Sequence, residues 1–124
     1  MKMHAFYKGD TGISPPLNLK DVKRINEIIY KHGKDCWPWK VDQYNISLPR
    51  KDFQVSNNED ASTLAFVIKL LKNEGHECYG EIFITYDCND ALVRLQIIDG
   101  KVLSSYRLHE FSTPESVTTW EPTD

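Results

Sequence analysis

Tyr79-Gly80-Glu81-Ile82-Phe83-Ile84-Thr85-Tyr86 opens the stretch, ending at Leu108, whose reading decides the fold. Residues 81–86 are dominated by β-branched and aromatic side chains and read as a strand. Asp87-Cys88-Asn89-Asp90 reads as a turn and Ala91 to Ile98 as a second strand. Asp99-Gly100 is the two-residue signal of a type I′ hairpin, which leads into a third strand, Val102 to Leu108. An Asp-Gly turn pairs Ile98 with Lys101, hence Ile97 with Val102, Leu95 with Ser104 and Val93 with Tyr106. With a side-chain period of two, Val93, Leu95, Ile97, Val102 and Tyr106 share one face. Arg94, Gln96, Lys101 and Ser105 share the other, with Ile98 and Leu103 as apolar exceptions. One face requires a cover and the other tolerates water.

Working outward, two amphipathic segments can supply that cover. Asn18 is placed as the N-cap of a first helix, Asp21 suits the positive end of its dipole, and Leu17 and Val22 have the spacing of a hydrophobic staple. Leu19, Val22, Ile25, Ile28 and Ile29 form its apolar stripe, Lys31 and His32 fall in its last turn, and Gly33 is the natural C′ residue. A second helix, capped by Asn58 or Asp60, carries Leu64, Val67, Ile68 and Leu71 and closes at Gly75. Residues 3–14 read as a first strand broken by Gly9, Asp10 and Gly12, with His4, Phe6 and Ile13 alternating, and Pro15-Pro16 ends it. Val41 to Leu48 reads as a strand, turned by Pro49-Arg50-Lys51 towards a short partner at Asp52 to Val55.

The expected fold is α+β: a two-layer sandwich with two helices on one face of a mainly antiparallel sheet, a ferredoxin-like core with an extra C-terminal hairpin. Residues 1–110 form a single domain. Residues 111–124 read as an extended acidic tail, mobile unless Val117 or Trp120 docks.

With 124 residues and 40% hydrophobic content, the chain can bury a core without staples. It shows neither a membrane-length apolar run nor a signal-peptide core, so a cytoplasmic protein with no membrane partner is expected. Cys36, Cys78 and Cys88 have no C-x-x-C spacing and read as reduced thiols. The net charge of −3 hides an asymmetry. Residues 1–52 hold 10 Lys and Arg against 6 Asp and Glu, while residues 53–124 hold 5 against 12. An acidic face built by the second half would repel nucleic acid and attract a basic partner surface.

Catalytic constellations are absent from the sequence. There is no G-x-S-x-G, and Gly9-x-x-Gly12 lacks the Gly-Lys-Ser/Thr of a phosphate loop. His76, Cys78 and Cys88 fall short of the four paired ligands of a structural zinc site, and Asp87 to Asp90 reads as a turn without the glycine and distant glutamate of a calcium loop. No enzyme, metal or cofactor is therefore expected. An RNA-recognition strand is matched by residues 79–86 only at Gly80, Phe83 and Tyr86, with Ile84 a near match and Glu81 where a stacking aromatic belongs. Nucleic acid is accordingly the alternative partner and not the leading one.

Trp37-Pro38-Trp39 places two indoles in one loop, either capping the core or anchoring a contact, and Trp120 poses the same choice in the tail. A small-ligand pocket around Trp37 and Trp39 is a further alternative.

Tyr7-Lys8-Gly9-Asp10-Thr11-Gly12-Ile13-Ser14-Pro15-Pro16-Leu17, with Gly80-Glu81-Ile82, the acidic turn Asp87 to Asp90 and Asp99-Gly100-Lys101-Val102, resembles a family of small phage-borne and bacterial proteins of unknown function. The resemblance spans most of residues 6–108 and brings no catalytic residues. It implies a small accessory protein that inhibits or modulates a host protein by stoichiometric binding, as an anti-defence (anti-CRISPR-like) factor. If such a protein mimics nucleic acid, Glu74, Glu77, Glu81, Asp87 and Asp90 are the carboxylates expected at the contact, alongside Trp37, Trp39 and Trp120. The sequence does not set the oligomeric state.

Overall fold

In the computed structural model, which describes residues 3–50, 53–55, 59–87, 92–107 and 112–122, the chain runs β1 (Met3–Ser14), α1 (Leu19–Gly33), β2 (Lys40–Val41), β3 (Ile46–Ser47), β4 (Phe53–Val55), α2 (Asp60–Asn73), β5 (Glu77–Tyr86), β6 (Leu92–Ile98), β7 (Lys101–Arg107) and β8 (Glu115–Ser116). The fold is α+β. Among the described residues one sheet has the order β4-β1-β5-β6-β7-β8, with every pair antiparallel, and β2 and β3 form a separate hairpin.

The β6–β7 register is the one the Asp-Gly turn requires: Ile98 faces Lys101, Ile97 faces Val102, Leu95 faces Ser104 and Val93 faces Tyr106. Asp99 and Gly100 both take positive φ, 52° and 73°, as a type I′ turn demands. Ala5, Tyr7 and Ile13 of β1 point to the same side as Ile82, Ile84, Leu95, Ile97 and Val102, and both helices deliver their buried residues into that one core. Among the described residues, the opposite face of the sheet receives no helix.

A ferredoxin-like plan calls for two split β-α-β units. β4 and β5 both run antiparallel to β1, which lies between them, so β4-α2-β5 is a split β-α-β unit. The second unit would need α1 to lead to a strand parallel to β1. The sheet strand reached after α1 is β4, antiparallel and directly beside β1.

The local chemistry explains both the agreements and the departures. The Asp21 N–H donates to Asn18 Oδ1 at 2.8 Å, the expected cap of α1. Leu17 is buried beneath the helix start, whereas Leu19, read as part of the stripe, is 72% exposed. Gly33 is the last helical residue, and the positive φ falls on Lys34. Gly33 serves a different need: a Cβ there would lie 2.3 Å from Trp37 Cγ.

In α2, Leu64, Val67, Ile68 and Leu71 are all buried and Gly75 has φ +87°. Glu59 occupies the cap position, and Asp60 begins the helix with its carboxylate turned into the core. Asn58 lies outside the described residues, as do Lys51, Asp52, Cys88, Asp90 and Leu108.

The segment read as one strand over Val41 to Leu48 is instead the β2–β3 hairpin. Asp42 breaks it, because its Oδ1 accepts the N–H groups of Tyr44 and Asn45. Asn26 of α1 pins this hairpin by accepting from Val41 N at 2.8 Å and donating to Val41 O at 2.9 Å. β4 pairs with β1, not with this segment. β1 is continuous, and His4 and Phe6 lie on its outward side, with Phe6 half exposed.

Candidate functional site

Trp37 and Trp39, one residue apart, have opposite surroundings. Trp39 has no exposed surface; its indole N–H donates to Thr63 Oγ1 at 2.8 Å, and its ring meets Tyr7 edge to face at 5.5 Å. It is a core residue. Trp37 is half-buried and packs edge to face on Phe66 and on Trp120. Trp120 in turn contacts His32 and Phe66, and its backbone N–H donates to Ser62 O at 3.0 Å. Further back, Val117 N–H donates to Val102 O, and β8 pairs with β7. The tail thus follows the β7 edge and then crosses to α2, so both Val117 and Trp120 dock on the domain.

A cavity of about 270 Å³ adjoins this corner, with Trp37, Trp39, Tyr30 and Phe53 in its wall.

The carboxylates singled out from the sequence do not converge. Glu74 sits at the C-cap of α2 and receives both Arg24 guanidinium nitrogens, one at 2.8 Å. The Arg24 bond holds its carboxyl below the usual range. Asp87 lies at the far end of β5, where its Oδ1 accepts His4 N–H and its own N–H donates to His4 O. β5 spans about 30 Å at the usual strand rise, so Asp87 is remote from Glu77. Asp90 is outside the described residues.

Glu77 and Glu81 do share a neighbourhood. Both project from the helix-free face of the sheet, and Asp10 lies directly across from Glu81. Between them stands Tyr79, 56% exposed, its ring laid over Gly12, where a Cβ would come within 2.3 Å of it. Ile98, 46% exposed, belongs to the same end of the same face. The result is an exposed aromatic and an aliphatic side chain beside three carboxylates, with Lys101 directly across from Ile98 on the same face.

The sequence reading missed a buried polar network. Tyr7 and Tyr86 both donate to Asp60 Oδ2, at 2.9 and 3.0 Å. Thr63 Oγ1 links the network to Trp39 by donating to Asp60 O. Burial raises the Asp60 pKa although the two phenols oppose the shift, and the Tyr7 hydroxyl is pushed far above its ordinary value by burial and the neighbouring carboxylate. In the sequence Asp60 reads as an ordinary helix-start acid; the inward position of Tyr7 and Tyr86 was the only signal available. Asp60 does not line the cavity beside Trp37 and Trp39, and the network ties the start of α2 to β1 and β5.

Among the described residues no helix is long and apolar enough to cross a membrane, and no group of three or more His, Cys, Asp or Glu is placed to hold a metal ion. Comparison with protein-family models, with curated proteins and with solved structures finds no match for this chain.

Proposed function

We propose that the protein is a non-enzymatic binding protein, a phage-encoded anti-defence inhibitor or modulator that attaches stoichiometrically to a host protein in the cytoplasm. The observation that carries this reading is the patch on the helix-free sheet face, where Tyr79 and Ile98 are exposed beside Asp10, Glu77 and Glu81. An aromatic and an aliphatic anchor beside a group of carboxylates suit a partner with a basic, partly apolar surface. The ferredoxin-like kinship of the sheet belongs with this proposal, supported by its one split β-α-β unit. RNA binding fits the same face less well. Tyr86, a matched position of the RNA-recognition strand, is buried on Asp60, and Glu81 stands between Tyr79 and Phe83 on the open side.

The test is capture of partners from nuclease-treated host lysate by the tagged protein and by two variants. An Asp10→Asn/Glu81→Gln protein should lose a stoichiometric protein partner that a Glu74→Gln protein retains. A partner indifferent to the sheet face, or recovery of nucleic acid alone, would overturn the proposal. The small-ligand alternative rests on the cavity beside Trp37 and Trp39. It requires saturable quenching of indole fluorescence by a small molecule.

A further inference from the structure

The second half of the chain is strongly acidic, yet it builds one basic cavity. Residues 53–124 carry five Lys and Arg side chains. Two of them, Lys69 and Lys72 of α2, line a single cavity of about 350 Å³ between α2, the Asp99-Gly100 turn and the docked tail, and Lys101 lines it from the strand position opposite Ile98, its side chain directed to the helix-free face. No carboxylate lines it. Asn73 and Thr119 add an amide and a hydroxyl, and Val102 and Val117 supply apolar wall. Asp99 and Glu115 flank these residues in sequence, but among the described residues no ion pair joins either of them to one of the lysines. Lys72 is held over the turn: a Cβ on Gly100 would lie 2.8 Å from its Nζ. A second cavity of about 340 Å³ lies across Thr119. It shares Lys69, Asn73 and Thr119 with the first and is walled by Phe66, Leu70 and Trp120. Glu121 lines only this second cavity, so an anion is better held in the first.

We propose that the lysine cavity binds the phosphate of a small phosphorylated ligand and that the cavity beside Trp120 takes the ligand's ring portion. Two ammonium groups from one face of α2, Lys69 and Lys72, with the neighbouring amide of Asn73 and hydroxyl of Thr119, are the chemistry a phosphate dianion requires. The size of each cavity, the lower end of the small-ligand range, argues against a polymer. The overall negative charge argues the same way, since it works against a long polyanion.

Isothermal titration with adenosine monophosphate, adenosine and inorganic phosphate, in about 0.15 M salt to screen loose attraction, tests this. The expected result is saturable binding of adenosine monophosphate, one per chain, with weaker binding of phosphate and still weaker of adenosine. Lys72→Gln and Lys69→Gln should each weaken binding by about tenfold, the cost of one charge-assisted bond. These lysines are exposed, so circular dichroism should show the variants folded. Binding unchanged in both variants would overturn the proposal, as would absence of saturable binding by either phosphate-bearing probe. Tighter binding of a single-stranded oligonucleotide than of the mononucleotide would also overturn it and favour the nucleic-acid reading.

Discussion

Trp37 and Trp120 meet edge to face with ring centroids 4.7 Å apart, and this contact joins the loop after α1 to the C-terminal tail. The same indole of Trp120 touches His32 and Phe66, so one tail residue bridges both helices. Trp120→Ala should lower stability by about 2 to 3 kcal/mol, combining lost aromatic pairs with lost burial. It should also speed hydrogen exchange at Val117, whose N–H bond to Val102 depends on the tail staying docked. Amides of the β5–β6 ladder should be unaffected. Equal exchange at Val117 in both proteins would show that β8 holds without the indole.

The Asp60 carboxylate makes a pH dependence that can be isolated. Its folded pKa is raised by burial above the ordinary carboxylate value of 3.8. The folded state therefore binds a proton more readily than the unfolded chain. The corresponding stability is fully present below the unfolded pKa and is lost as pH rises through the raised folded pKa. Glu74 works in the opposite sense, since its lowered pKa gives stability that disappears as pH falls. The clean observable is the difference between the wild-type protein and Asp60→Asn, which keeps an acceptor for the phenols but does not ionise. Relative to that variant, wild-type stability should fall from about pH 4 upward and then level off. Urea titrations that run parallel across this range would refute the assignment. Asp60→Ala should cost about 3 kcal/mol, because it strands the hydroxyls of Tyr7 and Tyr86.

What the sequence made legible was whatever local chemistry decides. Asp99-Gly100 dictates its turn, and the turn dictates every pair of the β6–β7 ladder. Asn18 and the spacing of Leu64, Val67, Ile68 and Leu71 likewise specify their helices without help from afar. Illegible were the features set by partners distant in the chain. Trp39 and Trp37 are chemically identical in the sequence, and only the position of Thr63 and Phe66 makes one a core residue and the other a bridge. The lysine cavity was hidden for the same reason. Summing charge over residues 53–124 reports an acidic half, and the sum cannot reveal that Lys69 and Lys72 are brought to one place with Thr119. Val41 to Leu48 misled because an alternating pattern outweighed Asp42, whose side chain competes for backbone N–H groups.

The cysteines should separate by reactivity. Cys36 is exposed, whereas Cys78 is buried on β5 and its thiol is pushed up to about 12 by desolvation. Iodoacetamide at neutral pH should label Cys36 and spare Cys78 until denaturant is added, as read by peptide mass mapping. Labelling of both at one rate would mean that the β5 core face opens freely.

Two glycines with positive φ should respond very differently to alanine. Gly75 follows α2 with φ +87°, and a Cβ there meets nothing within 4 Å. Only backbone strain opposes the substitution, so Gly75→Ala should cost about 1 kcal/mol. Gly80 has φ +119° in the middle of the β1–β5 ladder, and a Cβ would lie 2.2 Å from the Asp10 carbonyl oxygen. Gly9 faces the reciprocal problem with the Glu81 carbonyl oxygen at 2.2 Å, so neither strand can retreat without the other. Gly80→Ala should therefore cost well over the strain alone, about 3 kcal/mol or more. It should also disturb the face that carries Tyr79 and Glu81. Denaturation midpoints for the two variants decide the matter: a Gly80→Ala protein as stable as Gly75→Ala would mean that β1 and β5 can separate locally without penalty.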